Sequence, residues 1–262
     1  MSYFIAITGK GGTGKTTIAA LIVKQLIERG CSPVLAVDAD PNNCLDSALG
    51  VEVKQTLGRA REETRELASA GMASGVSKMQ LLEMKIAECL VEADDFDLIT
   101  MGRPEGPGCY CYANNVLKEV IAKISSQYPY AVLDNEAGLE NLSRRIIQKA
   151  DLLVFVADPS RQGLTTVKRL QELAQEMKIQ YRSLAVIVNR LPSGDLQRPM
   201  DELLNATGAD WVIGLPENGE LAELGRNDNG VWPISSSNPV VSQLDRLLTD
   251  AGITGRSRGV CP

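Results

Sequence analysis

The chain has 262 residues, 44% of them hydrophobic, and a formal net charge of −6. That length and apolar content support a single domain with one sizeable core, and the acidic balance argues against a non-specific grip on nucleic acid or an anionic membrane surface. No apolar window reaches the ~18 residues of a membrane-spanning helix, and the first apolar run ends at a glycine-rich loop rather than at a small-residue cleavage site. A cytoplasmic protein with no nucleic-acid or membrane partner is therefore expected.

Tyr3 to Ile7 reads as a first buried strand and Ile18 to Arg29 as an amphipathic helix, and between them lies Thr8-Gly9-Lys10-Gly11-Gly12-Thr13-Gly14-Lys15-Thr16-Thr17. This fits the Gly-x-x-x-x-Gly-Lys-Thr phosphate-loop pattern in its strand-then-helix setting. A chance glycine-rich turn is the alternative, and the flanks weigh against it. Backbone N–H groups from Gly9 through Thr17 can turn inward around phosphate oxygens, and the helix N-terminus favours the anion. Lys15 then reaches the β- and γ-phosphates and the Thr16 hydroxyl binds Mg²⁺. Lys10 is a second lysine in the loop; repulsion from Lys15 predicts that it points elsewhere.

Ser32 to Val37 reads as a second strand ending on Asp38-Ala39-Asp40-Pro41, and Asn42 to Leu49 as a short helix. Carboxylates at the end of a parallel strand lie in the crevice where α/β sheets bind ligands; helix capping is the alternative for one of the two. From Val51 to Ala93 the pattern is charged and mostly helical. Phe96 to Met101 is a third strand, followed by the breaker-rich loop Gly102 to Gly108 and by Cys109-Tyr110-Cys111. Asn114 to Ser126 reads as a helix, Tyr130 to Leu133 as a strand ending on Asp134, and Leu139 to Lys149 as a polar helix. Leu152 to Ala157 and Leu184 to Val188 are further strands, separated by the helix Gln162 to Met177. A last strand near Trp211 to Leu215, helices over Glu217 to Leu224 and Pro239 to Ala251, and a loose tail complete the chain. This alternation predicts an α/β fold, one parallel sheet covered by helices on both faces, with residues 1–252 as the phosphate-loop domain and 253–262 as tail.

Asp134 ends a buried strand and is the expected Mg²⁺ partner, while Gly138 can place its N–H on the γ-phosphate. Asn189 ends a strand beyond the loop; an asparagine there is also a common turn residue. Six cysteines and no histidine mean that a soft-metal site must be built on thiolates. Cys109 and Cys111, two apart on an extended segment, project to one side and can share a metal ion. Two thiolates leave a four-coordinate site half built, and a two-fold axis past this loop would supply the other pair. Cys31, Cys44 and Cys89 read as structural, and Cys261 as an exposed thiol at a disordered end.

Gly-Lys-Gly-Gly-Thr-Gly-Lys-Thr-Thr resembles the deviant Walker A phosphate loop of the ATPases that include nitrogenase iron protein, MinD and ParA. The resemblance implies that Lys10 crosses a homodimer interface to the partner's nucleotide. It also implies that Asp40 positions the attacking water, that Asp38 lies near the metal, and that Asn189 and the loop at Pro216 enclose adenine. Taken with Cys109-x-Cys111 and Asp134-Asn135-Glu136-Ala137-Gly138, the chain is similar to the CooC family. Those ATPases, with their AcsF branch, handle nickel for carbon monoxide dehydrogenase or acetyl-CoA synthase. The resemblance implies ATP, Mg²⁺ and Ni²⁺ (Zn²⁺ as a substitute) and one of those enzymes as client. A redox protein like nitrogenase iron protein is one alternative, although Asn141 stands where its second cluster cysteine would be. A MinD- or ParA-type positioning ATPase is the other.

Overall fold

The computed structural model describes residues 2–42, 44–69, 84, 86–103, 124–136, 149–192, 197–224 and 230–255. The expected helix over Leu139 to Lys149 falls outside them except for Lys149, and that over Asn114 to Ser126 except for its last residues. Gly138, Cys109, Cys111 and Cys261 also lie outside the described residues.

Strands β1 (Tyr3–Gly9), β2 (Val34–Asp38), β3 (Leu90–Glu92), β4 (Phe96–Thr100), β5 (Tyr130–Asp134), β6 (Lys149–Ala157), β7 (Gln180–Leu191) and β8 (Trp211–Pro216) form one sheet in the order β3-β4-β2-β5-β1-β6-β7-β8. All neighbours pair in parallel except β3, which runs antiparallel to β4. That edge strand corrects two expectations, the wholly parallel sheet and the helical reading of the segment up to Ala93.

Apolar residues alternate between the two faces of the sheet. Ile5, Ile7, Val132 and Val154 pack under helices α1 (Lys15–Glu28), α2 (Leu45–Leu49) and α7 (Pro239–Asp250). Ala6, Leu133, Leu153 and Phe155 face the other way, towards α3 (Leu57–Ser69), α4 (Arg161–Glu176) and α5 (Gln197–Thr207). A sheet buried on both faces explains why its central strands are near-continuous apolar runs. A short helix, α6 (Gly219–Leu224), follows β8.

Helix α1 is enclosed on nearly all sides. Ile18 to Leu26 are buried, including Lys24 and Gln25, both of which bond Glu28 one turn on. At its end Arg29 bonds Asp245 at 2.7 Å, Thr249 at 2.7 Å and the Ile253 carbonyl, which ties the helix carrying the phosphate loop to α7. Of the segment expected as tail, Ile253 is buried.

Register puts the chemistry in a row. Asp134 is the Cα partner of both Ile7 on β1 and Asp38 on β2, so the C-terminal ends of three adjacent strands meet where β1 runs into the glycine loop.

Candidate active site

Residues 9 to 14 curl between β1 and α1, and two glycines show why the sequence needs them. A Cβ on Gly9 would lie 2.1 Å from the Val156 carbonyl oxygen of β6, so only glycine lets the two strands run this close. Gly14, the N-cap of α1, has φ 90°, a conformation that side-chain-bearing residues avoid. N–H groups turned inward leave the carbonyls of the loop to be met by other donors. Here they have them. The Thr13 hydroxyl and the Lys15 ammonium donate to the Lys10 carbonyl at 2.9 and 3.2 Å, Arg190 donates to the Gly12 carbonyl at 3.0 Å, and Asn189 donates to the Thr13 carbonyl at 2.8 Å.

The two lysines have separate environments. Lys15 is 7% exposed; burial pulls its pKa down, and Asp134, Asp40 and Glu136 oppose that shift. Lys10 turns away from the loop interior, its ammonium donating to Gln162 on the first turn of α4 at 3.3 Å. That turn is held by Ser160, whose hydroxyl accepts from the Gly163 N–H at 3.0 Å.

Asp38 is fully buried and its carboxylate organises the segment that follows. One oxygen accepts the Asp40 N–H at 2.9 Å and the other accepts the N–H groups of Cys44 and Leu45, both at 3.0 Å. Burial raises its pKa to about 6, less than it would without those hydrogen bonds. The charge at the start of α2 complements the helix dipole, so α2 begins at Leu45 rather than at Asn42. Asp40 accepts the Asn42 N–H at 2.9 Å, and Arg103 reaches the Asn42 side chain from beyond β4.

Asp134 contrasts with this. It is 1% exposed, and neither carboxylate oxygen has a hydrogen bond of regular geometry, although the Thr16 hydroxyl lies close enough to pull its pKa down. Burial nevertheless pushes that pKa up to about 7, with Asp38 and Asp40 adding and Lys15 opposing. An orphaned buried carboxylate next to a threonine hydroxyl suits Mg²⁺, a hard ion that takes oxygen ligands. Beside it the buried Asn135 amide also makes no hydrogen bond.

A cavity of about 320 Å³ opens beside the loop, between Gly14, Thr17, Ile18 and Leu21 on one side and Asn189, Arg190, Pro216, Glu217 and Leu221 on the other. Its apolar walls and polar rim suit a purine. The structure thus gathers Lys15, Thr16, Asp38, Asp40 and Asp134 around the loop and sets Asn189 and Pro216 at the cavity. Sequence reasoning gave Arg190 and Asn135 no role. The only signals were a long cation after a strand-ending asparagine and a polar residue after a strand-ending aspartate. Among the described residues no group of three or more His, Cys, Asp or Glu is arranged to hold a metal ion, and no helix is long and apolar enough to cross a membrane.

A family model described as an AAA domain matches residues 2–186. An uncharacterized ATP-binding protein of Methanocaldococcus jannaschii, MJ0685, is 38% identical over 244 residues, which cover 93% of this chain and 96% of that protein. The carbon monoxide dehydrogenase accessory protein CooC of Rhodospirillum rubrum is 32% identical over 201 residues, 72% of this chain and 74% of that one. Among solved structures, a Cyanothece McdA–ATP complex superposes with a TM-score of 0.72 at 19% identity, covering 98% of this chain and 99% of that one, and MinD and ParA proteins share the fold.

Proposed function

Because the chain belongs to the AAA-domain family of phosphate-loop ATPases and shares the fold of MinD, ParA and McdA, we propose that it is a deviant Walker A ATPase, an ATP-gated switch that closes as a homodimer on nucleotide. Lys10 carries this reading. A lysine inside a phosphate loop whose ammonium faces α4 rather than the loop interior leaves its own phosphate site to Lys15, which supports a role at a nucleotide held by a second copy. In the ATP state the base enters the cavity at Asn189 and Pro216 and the phosphates lie in the loop against Lys15. Thr16 and Asp134 hold Mg²⁺, which neutralises phosphate charge when bound. Asp40 orients the attacking water, and the Gly138 N–H meets the γ-phosphate. Asp38 carries the state of the site to Asp40, Cys44 and Leu45 through its three N–H contacts. Loss of the γ-phosphate releases these segments and the dimer opens, so a partner that binds one state alone is captured and released in step with hydrolysis. The test is specific ATPase activity against protein concentration: it rises through a threshold if two copies complete the site and stays flat if one is sufficient.

The CooC relative favours a narrower second reading. In it the dimer carries nickel for carbon monoxide dehydrogenase or acetyl-CoA synthase, bound by Cys109 and Cys111 of each subunit, with Zn²⁺ binding in its place. The similarity to CooC over 201 residues supports this; the MinD, ParA and McdA neighbours support the switch without a metal cargo, and the switch is therefore the leading reading. Dialysis against Ni²⁺ distinguishes them. A metal carrier holds one ion per dimer and none after Cys109→Ala or Cys111→Ala, whereas a positioning ATPase holds none tightly.

A further inference from the structure

The outward carbonyls of the phosphate loop are served by the end of β7, and one of the residues that serve them sits in an unusual conformation. Arg190 has φ 60°, in the left-handed region that side chains with a Cβ rarely adopt. It lies where the pairing of β7 with β8 slips, between Val188 and Leu191. Its N–H donates to the side-chain oxygen of Asn189 at 2.9 Å, which fixes the turn. A regular strand would send residues 189 and 190 to opposite faces of the sheet. The left-handed step instead brings both side chains onto consecutive loop carbonyls, Asn189 at Thr13 and Arg190 at Gly12. Backbone in such a region persists where surrounding contacts over-determine it; residues of this kind cluster at functional sites and also follow helix ends, as Lys178 does after α4.

We infer that Arg190 is a positioning residue for the ATPase reaction: it holds the Gly12 carbonyl turned outward so that the loop N–H groups face the phosphates. Arg190 also borders the cavity proposed for the base, but its guanidinium donates to the loop carbonyl. It acts through the loop and does not select the base. Two consequences separate this from a base contact or an idle surface arginine. Any nucleotide that carries a diphosphate should depend on Arg190 equally, whatever its base. Turnover at saturation should change less than KM, because the guanidinium supports binding of the phosphates in ground and transition state alike.

The test uses the full chain with Arg190→Ala and Arg190→Gly, titrated with ADP and with inosine diphosphate, which differ at the purine 6-position edge. The expected result is a roughly tenfold loss of affinity for both nucleotides, with their ratio as in the unaltered protein, a matching rise in KM for ATP and kcat within about twofold. Arg190→Gly should melt at or above the temperature of Arg190→Ala, since glycine occupies the left-handed turn without strain. Selective loss of ADP binding would make Arg190 a base-reading residue, and unchanged affinities would make its contact with Gly12 idle; either result overturns the inference. Because these affinities are read on the monomer, they stand apart from whether the dimer forms.

Discussion

Asp134→Asn exchanges function for stability, and the structure sets the direction. The buried Asp134 carboxyl is pushed up from 3.8 to about 7, so at ~1.4 kcal/mol per pKa unit keeping it ionised at neutral pH costs the folded chain about 4 kcal/mol. The sign follows from linkage: a carboxyl whose folded pKa is raised costs nothing below its unfolded value and progressively more as pH climbs to the folded one. Asparagine removes the charge but leaves an orphaned amide, which costs about 1–3 kcal/mol. The net gain for the metal-free variant is about 2 kcal/mol, or roughly 5 °C in Tm for a chain of this size. Differential scanning fluorimetry without Mg²⁺ should show Asp134→Asn melting higher at pH 7.5, with the gap narrowing towards pH 5. Calorimetry should show Mg²⁺-dependent nucleotide binding lost. An Asp134→Asn protein that melts lower at pH 7.5 would mean that this carboxylate holds the fold together and is not held ready for a cation.

Asp38→Ala removes the acceptor for three backbone N–H groups and should destabilise the chain by about 2–3 kcal/mol, with faster amide exchange concentrated at Asp40, Cys44 and Leu45. Gly14→Ala forces a Cβ to 2.5 Å from the Asn189 amide nitrogen at φ 90°. Backbone strain of about 1–2 kcal/mol and loss of the Asn189 contact with Thr13 should weaken ADP binding at least tenfold, measured by titration. Asp40→Asn should bind ATP and Mg²⁺ but turn over slowly, so that ATP-bound protein accumulates in a single-turnover assay, because a group that orients water matters mainly in the transition state.

Much of this was legible in the chain. The strands β1, β2, β4, β5 and β6 are apolar runs with breakers at their ends, and the phosphate loop is a local motif, so both depend on neighbours in sequence. What sequence missed depends on contacts across the fold. The three-residue β3 is too short to show alternation and exists because β4 offers it an edge. Helix α5 begins at Gln197 with Pro199 in its first turn, where proline is tolerated, and the sequence reading assigns that stretch no element. Helix α2 starts late because Asp38, from the strand before, takes its first N–H groups. Arg190 carries no motif; its role appears only once a slip in strand pairing and a left-handed turn place it over Gly12.

The central claim is that two copies share their nucleotides through Lys10, and light scattering on Lys10→Ala tests it most directly. With a non-hydrolysable ATP analogue and Mg²⁺ the unaltered protein should have the mass of a dimer and with ADP that of a monomer. Lys10→Ala should remain monomeric with both, bind nucleotide with near-unaltered affinity and lose turnover. A Lys10→Ala protein that dimerises with the analogue and hydrolyses ATP at the original rate would contradict the claim.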